Sequence, residues 1–157
     1  MDDSHPSASA EDELVLLERI AQSALSAEFV RYLVAADEVK VPDGCDYIFP
    51  VRGWRGGLYA SIGTLYPLLP RRNLSTIRET TADLQDRLPV QALCIGDDGT
   101  SARIVLRHDS GAIGEVWLFD IEEEDPEAGR ESGLFFCAKS FGAWRESWEL
   151  VRYDKPK

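Results

Sequence analysis

At 157 residues the chain suffices for one sizeable core and is too short for two that would each stand alone. Apolar residues at 44% and aromatics at 10% exclude a wholly disordered polypeptide. Acids outnumber bases 28 to 17, and a net charge of −11 argues against direct nucleic-acid binding while steering basic partners inward.

Residues 1–10 mix Asp, Ser, Pro and Ala without periodicity and read as a disordered tail, which leaves 11–157 as one folding unit. That start lacks the basic region and apolar run of a secretory signal. Nowhere does the chain approach the ~18 consecutive apolar residues of a membrane span. Cys45, Cys94 and Cys137 are odd in number and far apart, and the last two sit in apolar runs. A disulfide framework or zinc site is not expected, and the expected compartment is the cytoplasm.

From Glu11 the pattern turns helical, with Leu14, Leu17 and Ala21 on one face. Ser26 is placed to cap a second helix carrying Phe29, Val30 and Leu33, which must stop before Pro42. Tyr47-Ile48-Phe49 reads as a strand ended by Pro50, and 52–57 as a loop. Residues 58–68 read as a strand interrupted at Gly63, and the spacing of Leu74, Ile77, Leu84 and Leu88 predicts a helix over 74–88. Beyond Pro89 the period shortens to two. Strands are predicted at 90–95, 102–107 and 116–121, separated by Gly96-Asp97-Asp98-Gly99 and His108-Asp109-Ser110-Gly111, as in an antiparallel meander. An acidic loop over 122–130 leads to a strand at 134–138. Ser140 then caps a last helix with Phe141, Trp144, Trp148 and Val151 on one stripe. The expected fold is α+β: a mostly antiparallel central sheet flanked by N-terminal, middle and C-terminal helices.

Several segments resemble, in order, those of the SUKH superfamily, which includes fungal cell-wall regulators and bacterial immunity proteins encoded beside polymorphic toxins. Leu25-Ser26-Ala27-Glu28-Phe29-Val30-Arg31-Tyr32-Leu33 is similar to the family's opening, with Ser26 where proline is usual. Gly56-Gly57-Leu58, Ile62 and Tyr66 stand where the family carries a glycine-marked turn and an aromatic strand. Leu93-Cys94-Ile95-Gly96-Asp97-Asp98-Gly99 resembles its "Pro-Ile-Gly-Asp-Asp-Gly" turn. Leu106, Gly114, Val116, Phe119-Asp120 and Ala138-Lys139-Ser140-Phe141 with Trp144 follow in the family's order. The chain departs at Thr100-Ser101-Ala102, where a second glycine is common, and at Phe119, where Trp is common. The resemblance spans roughly residues 11–152. It implies a SUKH-like fold and a protein that binds and blocks a cognate toxin domain.

Two polar clusters have plain structural readings. Asp97 and Asp98 between glycines offer too few oxygens for a calcium loop and suit a tight turn. His108, Asp109 and Ser110 are adjacent in sequence, so they cannot converge as a catalytic triad and read as a hairpin turn. With no zinc spacing and no phosphate-cradling loop, neither an enzyme nor a cofactor is expected. Trp54 is either a partner anchor or a ring folded over a core edge, and the environment of Trp117 stays open. Asp120, Glu122, Glu123, Glu124, Asp125, Glu127 and Glu131 face one base, Arg130, and form either a solvated mobile loop or a landing surface for an electropositive partner.

The candidate partner-binding set is therefore Asp97, Asp98, Asp120, Glu122, Glu123, Glu124, Asp125, Glu127 and Trp54. The expected partner is a toxin domain with a basic cleft, such as a nuclease, met without nucleic acid or membrane by a monomer or weak dimer. A non-catalytic regulatory adaptor of the cell-wall-regulator type is the alternative.

Overall fold

The computed structural model describes residues 9–35, 41–71, 73–109, 114–125, 127 and 132–152. These form helices α1 (Ala10–Ala21), α2 (Ala27–Ala35), α3 (Ile77–Asp83) and α4 (Phe141–Glu146). The strands are β1 (Cys45–Pro50), β2 (Tyr59–Ser61), β3 (Thr64–Leu65), β4 (Ala92–Asp97), β5 (Ala102–Arg107), β6 (Glu115–Asp120), β7 (Leu134–Ala138) and β8 (Glu149–Arg152). All pairings are antiparallel, in a three-stranded sheet β2-β1-β8 and a five-stranded sheet β3-β4-β5-β6-β7. The fold is α+β, as the periodicities predict, with the strands shared between two sheets.

Each helix start has a polar cap. Ser9 Oγ accepts from Asp12 N at 3.1 Å, and acids fill the first turn of α1, where they complement the helix dipole. Ser9 and Ala10 thus belong to the fold and not to the tail; residues 1–8 lie outside the described residues. Ser26 Oγ accepts from Phe29 N at 3.2 Å, and Phe29 and Leu33 are buried on α2 as its spacing predicts. Thr76 and Glu79 form a capping box at α3. That helix ends at Asp83, well short of the predicted 88. Leu84 and Leu88 are still buried, but from turns that follow the helix.

The predicted strand over 58–68 is two strands in different sheets. Gly63 lies against the backbone of Gly99, where a Cβ would collide, so the chain can cross between sheets only with glycine there. Two-residue β3 leaves part of β4's edge open, and α3 closes it. Cys94 N donates to Thr81 Oγ1 at 2.8 Å, and Thr80 Oγ1 donates to Cys94 O at 3.3 Å.

The last helix also departs from prediction. Ser140 caps it, with Ala143 N 3.0 Å from Ser140 Oγ, but it stops at Glu146. Trp148 sits in the connection beyond, against Tyr47 and Trp144 at centroid distances of 5.7 and 5.0 Å. Val151 lies on β8 opposite Asp46 of β1. One continuous core joins both sheets to the helices through Leu17, Phe29, Phe49, Ile77, Leu106, Leu118 and Trp144. The segment that leaves β1 also touches the larger sheet, where Arg52 N donates to Phe136 O of β7 at 3.0 Å. Among the described residues no helix is long and apolar enough to cross a membrane.

Candidate partner-binding site

Meander topology decides where the acids go. β4 ends at Asp97, β5 begins at Ala102, β6 ends at Asp120 and β7 begins at Leu134, so both connections emerge from one end of the five-stranded sheet. Ser101 Oγ donates to Glu122 Oε2 at 3.0 Å and ties the two connections together. Acids distant in sequence thereby share one surface.

Asp97 works inside its turn. Its Oδ1 accepts from Gly99 N at 2.9 Å and Thr64 N at 3.2 Å, and its Oδ2 accepts from Tyr66 OH at 2.7 Å. Burial first, then this hydrogen bond, pushes the Tyr66 phenol well above its ordinary pKa. Asp98 Oδ1 accepts from Thr100 N at 2.8 Å and Thr100 Oγ1 at 2.7 Å, an Asx turn. Among the described residues no group of three or more His, Cys, Asp or Glu side chains could hold a metal ion.

Trp54 and Asp120, 66 positions apart, are in direct contact. The indole N–H donates to Asp120 Oδ2 at 2.8 Å, and the ring folds over Gly56, where a Cβ would collide with it. Asp120 is buried, and its Oδ1 accepts from Glu122 N at 3.0 Å, capping a 3-10 turn over Ile121–Glu123. The acidic segment therefore opens as a braced turn. Glu124 forms an ion pair with Arg87 beyond α3. Asp125 N donates to Ser132 Oγ, and Asp125 Oδ1 accepts from Glu127 N, both at 3.0 Å. Glu122, Asp125 and Glu127 are exposed, while Asp98 and Glu123 are half-exposed. Arg130 and Glu131 lie outside the described residues.

His108 and Asp109 are both buried, and Ser110 and Gly111 lie outside the described residues. Asp109 accepts from Arg107 Nε at 3.0 Å and Nη2 at 2.8 Å, which holds its carboxyl below the ordinary range. Burial lowers the His108 pKa, and its Nδ1 has no hydrogen-bond partner among the described residues.

Two features escape the sequence reading. Trp117 and its cross-strand neighbour Phe136 form an aromatic pair flanked by Arg107 and Arg52, and the period-two alternation of β6 was the one signal that set Trp117 beside Glu115 and Phe119. A cavity of about 440 Å³ lies between α2 and residues 62–74, lined by Tyr32, Leu33, Val41, Ile62, Leu65 and Leu74 among others. It contains none of the predicted site residues.

No family model, curated protein or solved structure matches the chain. Fold and site together define an α+β protein with a braced acidic surface at one end of its larger sheet.

Proposed function

We propose that the chain is a cytoplasmic immunity protein of the SUKH type, which binds a cognate toxin domain and neutralises it by occlusion. The observation that supports this reading is the gathering of acids from two separate connections onto one sheet end. There the turns are fixed by Asp97, Asp98, Asp120 and the Glu124–Arg87 pair. Charges held on braced turns need little reordering when a partner arrives. A toxin that acts on a polyanion has a basic cleft, and this surface occupies it as a surrogate, with association accelerated by long-range attraction. Inhibition of this kind is stoichiometric and uses no covalent chemistry.

The test is co-expression with a basic effector domain sought among the products of the flanking genes, followed by binding kinetics at low and high salt. The informative variant inverts Glu123 and Glu127 to Lys together, leaving Asp120, Glu122 and Glu124 in their structural roles. Folding should be unchanged, association should slow and its salt dependence should shrink, because peripheral charges act on the on-rate. Full protection of cells with an unchanged association rate would remove the acidic end from the contact.

A further inference from the structure

The cavity between α2 and residues 62–74 has no part in the partner-binding surface. Its volume of about 440 Å³ falls within the range of small-ligand pockets. Leu33, Ile62, Leu65 and Leu68 give it apolar walls. Those walls are preformed: β3 pairs with β4, Tyr66 N donates to Ile95 O at 2.9 Å, and Ile77 N donates to Pro67 O at 3.0 Å. Three further lining residues, Val34, Val41 and Leu74, are exposed at 54, 38 and 36%. Large apolar side chains left open around a cavity mark surface that an occupant would remove from water.

The polar part of the lining is small and of one sign. Among the described residues that line the cavity, Arg71 carries the one charge, and no acid is present. The Tyr66 hydroxyl is already engaged by Asp97. Tyr32 is held with its ring centroid 5.1 Å from that of Phe141 and 5.4 Å from the Arg145 guanidinium. Burial raises the Tyr32 phenol pKa, and Arg145 and Arg71 oppose the rise, so both cations stand within electrostatic reach of it. Glu28 and Glu146 share a neighbouring groove with Arg145 and do not line the cavity. A cationic fork and a phenol on otherwise apolar walls complement a carboxylate carried by a hydrocarbon body.

We propose that this cavity binds a small amphipathic carboxylate, with its hydrocarbon body against Leu33, Ile62 and Leu65 and its head at Arg71 and Tyr32. The inference goes beyond the toxin-blocking function and does not depend on it. At a net charge of −11 the chain as a whole repels anions, so a preference for one has to arise locally, at this cationic end.

The experiment titrates the full chain with octanoate, 1-octanol and octyltrimethylammonium, which share one hydrocarbon body and differ in the head, and follows methyl signals by NMR. Octanoate should saturate a single site, bind about 10-fold more tightly than octanol, and give intermolecular NOEs to the methyls of Leu33, Ile62 and Leu65. Octyltrimethylammonium, which the net charge attracts, should bind there more weakly than octanol. Arg71→Gln should bring octanoate down to the affinity of octanol and leave octanol unchanged. The comparison of heads on the wild type needs no variant and decides the matter even where Arg71→Gln does not fold. Octanoate that fails to saturate, binds no better than octanol, contacts other methyls or is indifferent to Arg71→Gln would overturn the proposal while leaving the proposed function standing.

Discussion

Asp120 shows how one side chain can serve both fold and site. Its carboxylate receives the Trp54 indole and the Glu122 amide, so removing it strands two donors at the base of the acidic turn. Asp120→Ala should cost about 2 kcal/mol, and a double-mutant cycle with Trp54→Phe should return a coupling of ~1.5–3 kcal/mol, the range for hydrogen bonds to a charged group. A coupling near zero by chemical denaturation would show that the two residues act independently. Asp97 is the parallel case, with three donors on one carboxylate. The thiols allow a second test at this scale. Burial pushes Cys94 and Cys137 up to about 12, far from the thiolate form that reacts. Both should resist alkylation at pH 8 until the protein unfolds, which mass spectrometry of iodoacetamide-treated protein can read directly.

Among the elements, those whose signal is local are legible in the sequence. Period-two patterning and Asp-Gly turn chemistry place β4, β5 and β6, and caps at Ser26 and Ser140 place the starts of α2 and α4. Elements decided by distant contacts are not. β8 exists because Glu149–Arg152 pairs with β1, about a hundred residues earlier, while the spacing of Phe141, Trp144, Trp148 and Val151 imitates a helix that ends at Glu146. The sheet change at Gly63 depends on Gly99, which no local pattern announces. The acidic residues of the site were legible as a run, but their bracing by Trp54, Arg87 and Ser132 was not, since each partner comes from elsewhere in the chain. The position of α4 carries an energetic consequence. Trp144 is fully buried against Phe49 and Phe141, whereas Trp148 is half-buried. Trp144→Ala should therefore cost ~3–5 kcal/mol and Trp148→Ala distinctly less, as read from thermal melting. Equal losses would mean that the two rings share one buried environment.

For the whole molecule, the question is how an excess of negative charge and two buried groups combine as pH changes. Protonating carboxylates relieves the self-repulsion of a chain at −11, so on net charge alone mild acid should not harm the fold. His108 acts in the opposite direction. Its pKa is lowered from 6.5, first by burial, against weaker opposing effects from the Gln91 backbone and Asp109. The unfolded chain therefore takes a proton near pH 6.5 that the folded protein refuses. Stability is at its full value above that pH and declines as pH falls toward the folded-state pKa, with a slope of at most ~1.4 kcal/mol per pH unit for one proton. Asp109 adds a later loss. Its pKa is depressed from 3.8 mainly by the Arg107 hydrogen bonds, so its contribution is present above 3.8 and disappears as pH falls through the folded-state value. Urea titrations from pH 8 to 5 should show stability falling with acid, and His108→Asn should flatten that range while leaving the loss below pH 4. The only other histidine, His5, lies among residues 1–8, so the variant isolates the buried imidazole. A wild-type profile flat between pH 8 and 5, or a variant that keeps the slope, would show that His108 takes up its proton in the folded protein as readily as in the unfolded chain.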